Sequence, residues 1–116
     1  LRKLDEEKEK IRIPESIRVD DDSVLLVVRI ASYDASTSRS RVIRIDDDAI
    51  AMSLCLPSDA GESKSNLAIK LYFRDLFPEL GVSLNFGDTN DTVHVSLRGG
   101  VSLTPEVVAR HLFSLI

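Results

Sequence analysis

The 116-residue chain has no tryptophan, one cysteine and one methionine, and its rings amount to four Phe and two Tyr. A core so poor in aromatics must be built from Val, Leu and Ile. Cys55 has no second cysteine to join, so no internal disulfide is possible, and a reducing compartment is the expectation. Flanked by Leu54 and Leu56, with no cationic neighbour to lower its pKa, it reads as a buried small hydrophobe rather than a reactive thiol. No apolar run approaches the roughly 20 residues that span a bilayer, and no signal peptide stands at the start. An intracellular protein, cytoplasmic or nuclear, with no membrane association is therefore expected. The chain opens on Leu1 rather than Met, as an excised fragment would. A basic surplus is also missing: 15 Lys and Arg meet 19 Asp and Glu, for a net charge of −4. The long-range field that draws proteins to nucleic acid is absent, which disfavours that partner without excluding a local patch.

Hydrophobic residues make up 43% and charged residues 29%, ordinary for a globular chain and too apolar for disorder. The length suits one domain that buries enough surface to fold without a metal or disulfide. Residues 1–13 read as an N-terminal helix ended by Pro14. Leu1, Leu4, Lys8 and Ile11 fall at heptad spacing, so this helix is either packed on the domain or the end of an upstream coiled coil. Residues 14–116 read as a single α+β domain.

Within that domain, Ser16–Val19 alternates as a short edge strand. Val24–Ile30 is almost entirely β-branched or leucine, the pattern of a central strand. A polar turn over 32–38 leads to Arg41-Val42-Ile43-Arg44-Ile45, and the two segments predict an antiparallel hairpin. Residues 49–56 suit an extra strand ending at Pro57, with a short helix as the alternative. A helix is predicted from Ser63 to Phe77, where Leu67, Ala68, Ile69, Leu71, Tyr72, Phe73, Leu76 and Phe77 form a wide apolar face. In Val82–Phe86 the even positions are apolar and in Thr92–Leu97 the odd ones are. Facing residues share a side of the sheet, so the register must set Phe86 against Val93, Leu84 against Val95 and Val82 against Leu97. Thr104-Pro105-Glu106 supplies an N-cap hydroxyl, proline at N1 and an acid facing the helix dipole. The helix it opens is expected to bury Val108, Leu112, Leu115 and Ile116. The fold class is thus α+β: a largely antiparallel sheet of two hairpins plus an extra strand, two helices on one face, and a short N-terminal helix.

The residues that carry chemistry do not converge. Asp20-Asp21-Asp22 and Asp46-Asp47-Asp48 would meet at the open end of the first hairpin, but neither has the spacing of a calcium loop. His94 and His111 lack partners at ligand spacing, so no metal site is expected. No nucleophile elbow, P-loop or dinucleotide fingerprint is present. Catalytic residues, cofactors and a small-molecule substrate are accordingly not expected. Arg29, Arg39, Arg41 and Arg44 form the one basic concentration, and no aromatic residues interleave with them to stack on bases.

The function expected is a non-enzymatic protein–protein interaction or dimerisation module, a globular head on a larger protein. Its partner would be another protein or a second copy of itself. The surface expected to carry it comprises Leu1, Leu4, Ile11, Arg29, Arg39, Arg41 and Arg44. The alternative is a nucleic-acid or phosphate-ligand domain that uses the arginines of the first hairpin.

Overall fold

The computed structural model describes residues 12–20, 22–36, 39–86, 92–99 and 103–116. Residues 1–11 of the helix expected over 1–13, with Leu1, Leu4 and Ile11, lie outside these residues, and Arg12 and Ile13 are not helical. Among the described residues six strands and two helices follow one another: β1 (Ile17–Asp20), β2 (Ser23–Tyr33), β3 (Arg41–Ile45), β4 (Ile50–Leu54), α1 (Glu62–Leu76), β5 (Gly81–Phe86), β6 (Thr92–Arg98) and α2 (Pro105–Phe113). The strands form one mixed sheet in the order β3-β4-β2-β6-β5, with β1 also paired to β2.

The eleven residues of β2 make it the spine. Along one side it pairs antiparallel with β6, from Ser23 opposite Arg98 to Arg29 opposite Thr92. Along the other it pairs first with β1 and then, from Val28 opposite Ile50, with β4. The central place expected for Val24–Ile30 is therefore found.

The expected antiparallel hairpin of 24–30 with 41–45 is not. β4 lies between the two segments, antiparallel to β3 and parallel to β2. Burial explains the insertion. All five residues of β4, Ile50-Ala51-Met52-Ser53-Leu54, are buried, so this strand has no face or edge to give to water. Such a strand gains most between two others, as strands with parallel neighbours do. β3, with Arg41 and Arg44 exposed, tolerates the outside position. The sheet is consequently mixed: four of its five pairings are antiparallel, and β2 with β4 is parallel.

Alternation then sorts the residues. Val24, Leu26 and Val28 of β2 share a face with Leu97, Val95 and Val93 of β6, and with Ile50 and Met52 of β4. Against that face pack Ile69 and Phe73 of α1 and Val108, Ala109 and Leu112 of α2, all fully buried. The cluster is aliphatic apart from Phe73 and Met52, as composition demanded. The β5–β6 register places Phe86 opposite Val93, Leu84 opposite Val95 and Val82 opposite Leu97, as parity requires.

Both helices fall where their signals put them. The Thr104 side chain accepts from the Val107 backbone N–H at 3.2 Å, with Pro105 opening α2. That helix ends at Phe113, and Leu115 and Ile116 lie exposed rather than buried as expected. The ring centroids of Phe77 and His111 stand 5.1 Å apart, tying the exit of α1 to α2.

Candidate interaction surfaces

With both helices on one face, the opposite face of the sheet carries no helix among the described residues. Register decides what stands on it. Arg29 is level with Ala51, and Ala51 with Arg44; Ser32 is level with Ser53, and Ser53 with Arg41. Three of the four predicted arginines thus reach one face by a route the sequence did not suggest, across β4 rather than along a hairpin. Since strands lie about 4.8 Å apart, Arg29 and Arg44 are separated by roughly 10 Å of backbone, with small buried Ala51 between them.

Arg39 does not join them. It precedes β3 and has no place in the register that brings the other three together. Two acids temper the cluster. Arg44 Nε donates to Asp46 Oδ2 at 2.6 Å, and the Arg41 charge helps hold the Asp34 carboxyl below its usual range, an effect led by hydrogen bonds from the Ser36 hydroxyl and backbone N–H. Arg18, level with Leu25, and Arg98, level with Ser23, occupy the same face further along β2. The sequence reading missed both, although parity on their strands marks them. A shallow depression beside Arg98 is lined by Ser23, Gly81, Ser83, Asn85 and Ser96.

The acidic triplets do not share one end of a hairpin. Asp46–Asp48 joins β3 to β4 and is engaged by the segment before β1. Arg12 donates to Asp47 Oδ2 at 2.7 Å, the Glu15 backbone N–H to Asp47 Oδ1 at 3.3 Å, and Ser16 Oγ to the Asp46 carbonyl at 2.7 Å. Asp20 and Asp22 flank the opposite end of β1, a strand of four residues, or about 13 Å, away. No group of three or more His, Cys, Asp or Glu among the described residues is placed to hold a metal. Cys55 is half-buried just beyond β4, not fully buried as expected, and its backbone N–H donates to Ser40 Oγ at 2.9 Å. No helix among the described residues is long and apolar enough to cross a membrane.

The outermost strands, β3 and β5, differ in character. β3 carries Arg41 and Arg44 and a register irregularity between Val42 and Arg44, devices that discourage pairing with a further strand. β5 reads Gly-Val-Ser-Leu-Asn-Phe, without charge or proline, and its pairing to β6 runs unbroken through all six residues. Among the described residues no further strand pairs with its outer edge, which leaves alternate backbone donors and acceptors there for another chain. Gly99, just past β6, lies so close to Leu80 that a Cβ there would collide with the leucine methyl, so this glycine lets Leu80 pack down ahead of β5.

Comparison with known protein families and with curated protein sequences finds no match to this chain.

Proposed function

We propose that this chain is a non-enzymatic protein–protein interaction module whose binding element is the outer edge of β5. The observation that carries this reading is the contrast of β5, uncharged and regular, with the other two edge strands among the described residues: β3 with its arginines and bulge, and four-residue β1 with Arg18 and Asp20. An extended segment laid against β5 gains main-chain hydrogen bonds, while Val82 and Leu84 on one side and Ser83 and Asn85 on the other read alternate side chains. Selection of a random peptide library against the folded chain tests it, with Ser83→Lys/Asn85→Lys as the competitor. Enriched peptides should alternate apolar and polar residues and lose affinity for the variant. Peptides that bind both proteins equally would place recognition elsewhere.

A second reading, binding of nucleic acid or another phosphate ligand, is favoured by the common face of Arg29, Arg41 and Arg44. Asp34 and Asp46 offset part of that charge and no aromatic strand residue stands among the arginines, which ranks it second. Titration with an oligonucleotide at two salt concentrations decides it. Affinity that falls steeply with salt supports this reading, and binding indifferent to salt removes it.

A further inference from the structure

Resting on the edge reading above, we infer that the partner of β5 is a second copy of this chain, paired antiparallel about a two-fold axis at Leu84. The argument begins with symmetry. A two-fold that brings the outer edge of β5 against its own copy must stand perpendicular to the sheet, so the helical faces of both copies lie on the same side. Facing residues in an antiparallel pair share a face. The even positions of β5 belong to the helical face, because Val82, Leu84 and Phe86 are level with Leu97, Val95 and Val93. Each facing pair must therefore have numbers of equal parity, and their sum must be even. The six-residue overlap of Gly81 with Phe86 is forbidden.

Two registers with five facing positions remain within β5. One centres on Ser83 and sets Val82 against Leu84, Ser83 against itself and Gly81 against Asn85. The other centres on Leu84 and sets Leu84 against itself, Val82 against Phe86 and Ser83 against Asn85. The second gives every position a side chain to meet. It matches the hydroxyl of Ser83 with the amide of Asn85, a favourable cross-strand pair. It also leaves glycine out of the paired strip, where it would contribute no side-chain contact. The edge is thus self-complementary in one register: apolar on the helical side, neutral and hydrogen-bonding on the other, with no like charges opposed. β3 placed against its own copy would instead crowd arginines together.

Charge exchange at exposed Ser83 and Asn85 tests this without touching the core. The full chain should show a reversible, concentration-dependent dimer in sedimentation analysis at micromolar to high micromolar concentration. Ser83→Lys/Asn85→Lys sets lysine against lysine at both symmetry-related positions and should weaken the dimer roughly two- to thirtyfold. Ser83→Lys/Asn85→Glu sets lysine against glutamate in the Leu84 register alone and should restore or tighten association. In the Ser83 register, the side chain of Ser83→Lys would meet its own copy and no rescue would follow. Circular dichroism verifies that each variant is folded. Dimerisation indifferent to both variants, or no dimer in the wild type, overturns the inference. If peptides selected on the edge still bind in that case, the edge reading survives and only the identity of the partner falls; if they do not, both fall.

Discussion

Asp47 shows how a single residue, exposed though it is, joins distant parts of the chain. Hydrogen bonding from the Arg12 guanidinium, then from the Glu15 N–H, holds its carboxyl below the usual carboxylate range, with the Arg12 charge adding to this and a little desolvation opposing it. A carboxylate whose folded pKa is depressed adds stability above its unfolded pKa, about 3.9, and loses it as pH falls through the folded value. Asp47→Asn is therefore expected to unfold at lower temperature than wild type near neutral pH, with the difference closing below about pH 4. Thermal unfolding across that range measures it, and a difference that persists in acid would mean the amide disturbs something other than the ion pair. Asp34 should behave alike through Ser36. At this scale much was legible. Thr104, Pro105 and Glu106 name a helix start because each answers a distinct backbone or dipole need. What was not legible was the engagement of Asp47 by Arg12, because those residues stand 35 apart and nothing local links them.

At the scale of the element, periodicity served well wherever one face is dry and the other wet. β5 and β6 alternate strictly, so a one-residue slip would bury Asn85 and His94, and the strands adopt a register that avoids it. The pairing of β2 was misread because adjacency in sequence is the default for neighbouring strands and no residue announces an insertion. The signal present was subtler: Ile50–Leu54 has no polar face, which suits a strand enclosed on both sides better than the tail of a hairpin. Leu115 and Ile116 were misread for the opposite reason. They continue the apolar spacing of α2, but the helix stops at Phe113 with the Ser114 N–H bonded back to the Arg110 carbonyl. The cap at the other end gives a clean prediction. Thr104→Ala removes the acceptor for the Val107 N–H and should cost about 1 kcal/mol in urea unfolding, whereas Thr104→Ser should recover most of it. Equal losses in both variants would show that the threonine methyl, not the hydroxyl, matters.

For the molecule as a whole, the strand order β3-β4-β2-β6-β5 sets a gradient of protection from centre to edges. β2, β4 and β6 are hydrogen-bonded on both sides for much of their length and hold Leu26, Val28, Ile50, Met52, Val95 and Leu97 fully out of water. Their amides should exchange with solvent only through near-global unfolding, while outer-strand amides exchange through small local openings. In an isolated domain β3 and β5 should then look alike: alternate amides slow, those between them fast. A second copy paired on β5 breaks that equivalence. As protein concentration rises, the fast amides within residues 82–86 should slow in step with the dimer fraction, while those within residues 41–45 stay fast. Hydrogen exchange read residue by residue, at a dilute and a concentrated condition, separates the cases. Slowing confined to the β3 edge would move the interface to the guarded side and contradict the symmetry argument. Slowing spread evenly over both edges would mean that association stabilises the whole fold rather than covering one strand. Only a change limited to alternate β5 amides matches a strand added at that edge, because a new antiparallel neighbour bonds just those groups that β6 leaves unpaired.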